Sequence, residues 1–227
     1  TYSGTMMNVL TLVHELGHAF HNSAMDGQHG LNKQYPLSIA ETASTFSEII
    51  LLDAAIENAI TKEEKIMLLD EKIKRSVMNF MNIHSRFLFE QNFYEERKTG
   101  YVSADRLNEI MQDAISVGYQ DSLNNVSAYT WLWTPHFYMT NAPFYNFSYT
   151  FGYLLALSLF AKAKEMGADF ENAYIQLLRD SGKMTMEDLV LKHLNEDITQ
   201  EAFWEKGIMH SVRDVELFIE LTALETN

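Results

Sequence analysis

The stretch Val9-Leu-Thr-Leu-Val-His-Glu-Leu-Gly-His-Ala-Phe-His21 joins apolar helical periodicity to a His-Glu-x-x-His core. Val9, Leu10, Leu12, Val13, Leu16, Ala19 and Phe20 cover nearly every side of the helix it predicts, and such a helix is expected to be buried. On that helix His14 and His18 lie one turn apart on the same face, so both imidazoles can reach one ion. Glu15 is turned about a third of a turn away, where it can act on a bound water without being a ligand. Burying a carboxylate and two histidines without partners costs several kcal/mol. A divalent metal removes that conflict, and zinc suits this donor set.

A zinc site of this kind needs a third ligand from a neighbouring helix. Pro36-Leu-Ser-Ile-Ala-Glu-Thr-Ala-Ser-Thr-Phe-Ser-Glu48 opens a second predicted helix, which continues to about Ile60. Glu41 and Glu48 fall two turns apart on one face of it. One is expected to bind the metal and the other to orient a ligand histidine, and local sequence does not choose between them. Ser38-x-x-Glu41 also reads as a capping box, with Glu41 spent on the helix start. His29 lies in the glycine-bearing loop Asp26–Gly30 and is expected to be a loop residue. If the metal were structural, His21 or His29 would close the site as a fourth ligand.

Three prolines and ten glycines punctuate the whole sequence, so the chain reads as all-α. Thr1 to Met7 is a stub in which Tyr2 to Met6 reads as the end of a strand. Thr61-x-x-Glu64 is a capping box that starts a long third helix to about Lys98, ended at Gly100. Along it Phe80, Phe87, Phe89, Phe93 and Tyr94, with His84, are expected in a core or groove wall. Ser103 caps a fourth helix that ends near Gly118. The pattern then loosens into an aromatic connection that contains His136. Tyr145, Tyr149 and Tyr153 recur every fourth residue and so share one helical face. They form either a core-facing stripe or a row of hydroxyl donors, beside His136, suited to a developing oxyanion. A helix follows from Ala168 to about Asp180, and Thr185 caps the next. Thr199 begins a short helix broken at Gly207, and a last one runs from about His210 to Leu224. His193 and His210 are expected at the surface.

The chain has 227 residues, enough for one domain with a sizeable core or two small ones. Its 47% hydrophobic content excludes disorder. A net charge of −14 argues against nucleic acid as a partner, because phosphate backbones need Lys and Arg patches. There is no cysteine, which excludes disulfides, a thiolate metal site and a Cys nucleophile, and fits a reducing cytoplasm. The most apolar run, Phe151 to Ala161, is too short to span a bilayer, so no membrane is expected. The chain reaches its motif almost at once, and a longer protein is expected to continue upstream.

Several separated stretches together resemble oligoendopeptidase F, of the thimet-oligopeptidase-like zinc metallopeptidases. They are His14–His21, Pro36–Glu48, Pro135-His-Phe-Tyr138 with Phe144–Tyr149, and Asp197–Trp204. The resemblance implies one zinc ion held by His14, His18 and Glu41, with Glu15 as general base. It implies that His136, Tyr145 and Tyr149 bind substrate and stabilise the transition state, and it matches Glu48 to a second acidic position. Residues 1–227 would be an all-α, zincin-type, carboxy-terminal catalytic domain with a deep channel, lacking the amino-terminal helical part and the upstream strands. The implied activity is hydrolysis of peptide bonds in short oligopeptides by a metal-activated water. The competing expectation is a non-catalytic helical module with a structural zinc.

Overall fold

Helix α1 (Met6–Ala24) begins at Thr5, whose hydroxyl accepts the Asn8 N–H at 3.3 Å and satisfies one of the free amides of the first turn. In the computed structural model, which describes residues 3–223, the chain forms two compact units. One holds residues 1–74 and 151–227, the other residues 75–150.

In the first unit α1 packs on α3 (Thr42–Glu57) and α9 (Asp169–Asp180). Leu10 from α1 joins Leu52 and Ile56 of α3 and Leu68 and Leu69 of α4 (Lys62–Val77) in a buried cluster. Leu217, Phe218 and Leu221 of α11 (Glu201–Thr222) cover it. Buried Lys72 donates to Asp53 at 3.3 Å and to Asp214 at 3.1 Å, so one cation links α4, α3 and α11. Leu155 and Leu159 of α8 (Phe147–Met166) and Leu189 and Val190 of α10 (Met186–Leu194) are fully buried.

In the second unit α5 (Ile83–Arg97) packs on α6 (Ala104–Tyr119). Phe89, Ile110, Met111, Ala114 and Ile115 form its core, joined by Leu107, Trp131 and Phe137. The short α7 (Thr130–Trp133) and a 3-10 turn (Pro135–Tyr138) complete it.

The caps at Thr61, Ser103 and Thr185 form as expected, while the return bond of the Thr61 box reaches Ile60 rather than the N–H of Thr61 itself. Thr61 Oγ1 accepts the Glu64 N–H at 3.1 Å, while the Glu64 carboxylate accepts the Ile60 N–H at 2.9 Å. Ser103 accepts from the Arg106 N–H and Thr185 from the Asp188 N–H. The long third helix runs from α4 to α5 through a π-helical turn at Met78–Asn82. A π turn loosens the backbone ladder, and here the Asn79 carbonyl accepts from Thr150 Oγ1 at 2.6 Å.

Other expectations are corrected. No strand occurs among the described residues; Thr1 and Tyr2 lie outside them, and Met6 already starts α1. The second helix is two, α2 (Leu37–Ala40) and α3, broken at Glu41. The Ser38–Glu41 capping box does not form, because Pro36 holds the cap position and Ser38 sits inside α2. α11 runs unbroken through Gly207, where a Cβ would meet Ser158 N and Oγ at 2.7 Å; the glycine serves close packing rather than termination. Leu224, the expected end of that helix, is outside the described residues. Tyr145 lies in the turn before α8, so the three tyrosines do not share one helix. His193, held by Asp180 at 3.1 Å, and His210, packed on Phe160, are half-buried rather than free on the surface. α1 is buried on one side only, with Leu12, Leu16 and Phe20 exposed. No helix of the described residues is long and apolar enough to cross a membrane.

Gly17 sets the distance between α1 and α3. A Cβ there would meet Ser44 Cα at 2.5 Å and the Ala43 carbonyl oxygen at 2.6 Å, both backbone atoms that cannot swing away. Gly17→Ala is expected to destabilise the chain by about 1–3 kcal/mol, the usual cost of overpacking. Urea unfolding checks this, and an unchanged midpoint would contradict the tight crossing.

Candidate metal centre

The helical repeat places His14 and His18 on the α1 face turned towards α3, with ring centroids 4.9 Å apart at 82°. Because Gly17 lies between them, the α3 backbone can approach closely enough to add acidic side chains. Glu41 occupies the break between α2 and α3 at φ −94° and ψ 0°, the sparsely allowed region between helix and strand. Its side chain makes no cap bond. Ser44 Oγ donates to the Glu41 carbonyl at 3.0 Å and lies 3.4 Å from its Oε2, fixing the carboxylate. Gly152 leaves room for it, since a Cβ there would meet Glu41 Cβ at 3.0 Å.

Glu41 Oε2 lies 3.3 Å from His14 Nε2 and 3.7 Å from His18 Nε2. One donor atom from each residue falls within 4.8 Å of the others. Ligands about 2.0–2.1 Å from a tetrahedral ion stand roughly 3.3–3.4 Å from one another. Glu41 Oε2 thus stands near that distance from both imidazole nitrogens, and the donor set has the chemistry to hold one cation.

Glu48 approaches from the next turns of α3, with Oε1 2.6 Å from His14 Nδ1. One carboxylate therefore faces each nitrogen of His14, and the second fixes the ring. Both acids are only 6% exposed. Burial alone would lower the His14 pKa, but hydrogen bonds to Glu41 and Glu48 carry it to about 9. Burial would raise Glu41, yet His14 and His18 hold its carboxyl below the usual range. Two buried carboxylates set around one imidazole favour positive charge at that point. Glu15 is exposed on the same helix.

The residues named for a closed structural site lie elsewhere. His21 is fully buried, 2.9 Å from Ser181 Oγ through Nε2, with its ring stacked 4.2 Å over Tyr35. His29 accepts the Leu31 N–H at the start of a 3-10 turn.

His136, Tyr145 and Tyr149 come together in the second unit. His136 stacks on Tyr145 with centroids 5.2 Å apart and planes 4° from parallel. Tyr149 Oη is 3.3 Å from His136 Nε2. Phe144, just before Tyr145, adopts φ +59°, which is costly for an aromatic residue. Its N–H donates to Glu90 Oε1 at 2.8 Å, which helps hold that turn. Glu90 was absent from the sequence-derived set. The available signal was a carboxylate inside the aromatic run Phe87, Phe89, Phe93, where an acid needs partners.

An all-helical fold built around such a donor cluster belongs to a known class. The model for peptidase family M3 matches residues 4–210, and the chain belongs to that family. It is similar to an oligoendopeptidase F homolog of Lactococcus lactis subsp. lactis, 29% identical over 180 residues, covering 77% of this chain and 29% of that protein. The chromosomal oligoendopeptidase F of Lactococcus lactis subsp. cremoris is 28% identical over 196 residues, covering 84% of this chain and 32% of that one. The crystal structure of oligoendopeptidase-F from Enterococcus faecium shares the fold, with TM-score 0.74 at 21% identity over 95% of this chain and 39% of that chain. The chain thus spans about a third of the length of these relatives.

Burial lowers the His21 pKa from 6.5 to about 4. Between those values the unfolded chain takes up a proton that the folded chain does not. Stability is therefore expected to fall as the pH drops through this window and to level below it, by on the order of 3 kcal/mol in all. His21→Gln should flatten the dependence of the urea midpoint on pH between 6.5 and 4. An equally steep profile in the variant would remove His21 as the cause.

Proposed function

We propose that this chain is the carboxy-terminal catalytic part of a zinc-dependent endopeptidase acting on short oligopeptides. The observation that carries the reading is the convergence of His14, His18 and Glu41 at metal-ligand spacing. Two imidazoles and one carboxylate favour zinc over the oxygen-seeking calcium and magnesium. A zinc ion held there would supply Lewis acidity, bringing the pKa of water from about 16 towards 7.

The chain's own groups do the rest. Glu15, one residue after His14, takes the proton of the attacking water and returns it to the leaving amine. Glu48 holds His14 Nδ1 and so would leave Nε2 free to serve as the ligand of a bound ion. His136, Tyr145 and Tyr149 occupy the positions that the family resemblance assigns to substrate binding and to donors for the developing oxyanion. The names of the relatives support oligopeptides as substrates. The absence of cysteine is compatible with a cytoplasmic setting. The structural-zinc reading needs a fourth protein ligand, and the engagement of His21 with Ser181 and of His29 with Leu31 counts against it.

Bound zinc and cleavage of a quenched-fluorescent peptide test the proposal. Glu41→Gln should abolish stoichiometric zinc. Glu48→Gln should weaken zinc about 10–100-fold, as loss of a ligand-orienting partner does. Glu15→Gln should keep zinc and lose about a thousandfold in turnover. Full activity in Glu15→Gln would sink its assignment as the base, and unaltered zinc in Glu41→Gln would sink the ligand set.

A further inference from the structure

We propose that the second unit carries a binding site for a small apolar amine, in a pocket of about 240 Å³ between α5, α6 and the Pro135–Tyr138 turn. It shares no residue with the metal centre and does not depend on the peptidase reading. Its volume is below the roughly 300–1,000 Å³ of drug-sized sites, so it suits a ligand about the size of one aromatic side chain.

The pocket is graded in depth. Phe89 and Glu90 line it and are each only 3% exposed, whereas Tyr138, also lining it, is largely exposed. Phe93 and Phe137 continue the aromatic wall, Phe89 stacking near-parallel to Phe93 and tilted against Phe137 at 4.8 Å. The wall's polar groups are mostly spent. Trp131 Nε1 donates to Asn108 Oδ1 at 2.9 Å, and Tyr138 Oη donates to the Trp131 carbonyl at 3.3 Å.

Glu90 differs. Its Oε1 accepts the Phe144 N–H, but its buried Oε2 makes no hydrogen bond. The Tyr94 hydroxyl, on the same pocket wall, and the Asn146 amide both lie near enough to lower the Glu90 pKa, but neither reaches Oε2 in hydrogen-bonding geometry. Burial nevertheless pushes that carboxyl above its usual range. An unsatisfied carboxylate oxygen in an aromatic pocket calls for a donor, and an ammonium is the strongest one available. The ring faces add cation–π attraction. Anionic ligands are disfavoured by Glu90 and by the chain's charge of −14.

The test uses 2-phenylethylamine and its neutral analogue 2-phenylethanol, titrated into the full chain by calorimetry and by the fluorescence of Trp131. The amine is expected to bind at least about tenfold tighter than the alcohol, the gain coming from the charge-assisted bond to Glu90. Glu90→Gln should remove that preference, and Leu107→Trp, which fills the pocket, should abolish both ligands. Because Glu90 also holds Phe144, Glu90→Gln is read only if circular dichroism shows it folded. Otherwise the amine-to-alcohol ratio in the parent chain and the Leu107→Trp variant decide. Equal affinity for the two ligands, no binding of the amine at millimolar concentration, or amine binding that survives Leu107→Trp would each overturn the proposal.

Discussion

The geometry of the candidate metal centre depends on a close approach of two backbones. At Gly17 the α1 helix lies against the start of α3 with no space for even a methyl group. That contact is steric, and its consequence is electrostatic. It sets the acids of α3 beside the imidazoles of α1 at 2.6–3.7 Å. A side chain at position 17 would widen the gap, and Coulomb attraction and ligand spacing would both be lost. The glycine inside the His-Glu-x-x-His core is thus as much a part of the site as the donors that flank it.

The acids are tolerable because each is compensated locally. Glu41 and Glu48 share His14, and Ser44 fixes the first. The same economy recurs elsewhere in the first unit. Asp180, nearly buried, is surrounded by Lys183, Lys192 and His193, which hold its carboxyl well below the usual range although burial alone would raise it. Lys72 is buried between Asp53 and Asp214. In an acidic chain with few cations, interior placement of a cation between two acids lets one positive charge serve both.

Much of this was legible in the sequence, for identifiable reasons. The histidine pair follows from the helical repeat alone. The two candidate acids were also visible, but not which nitrogen of His14 each would face. That arrangement follows the break at Glu41, and nothing in Ser38-x-x-Glu41 distinguishes a broken helix from a capped one. The caps at Thr61, Ser103 and Thr185 were readable because capping is a local bond between neighbours in sequence. Gly207 was misread because a glycine that ends a helix and one that admits a neighbouring backbone look alike until the neighbour, Ser158, is known. The partners of His21 and Glu90, Ser181 and the Phe144 amide, are equally out of reach of any local pattern. Family membership rests on the matched residues 4–210 rather than on composition, which gave only the helical class.

The π-helical turn at Met78–Asn82 has a geometric consequence for everything on α5. One extra residue in a turn rotates the following side chains by about 100° relative to an uninterrupted α-helix. A helical wheel carried forward from the preceding turn would therefore assign the wrong azimuth to Phe89, Glu90 and Phe93. It is this phase slip that sends an acid and its aromatic neighbours inward together, and shortening the turn by one residue would swing them off the interior.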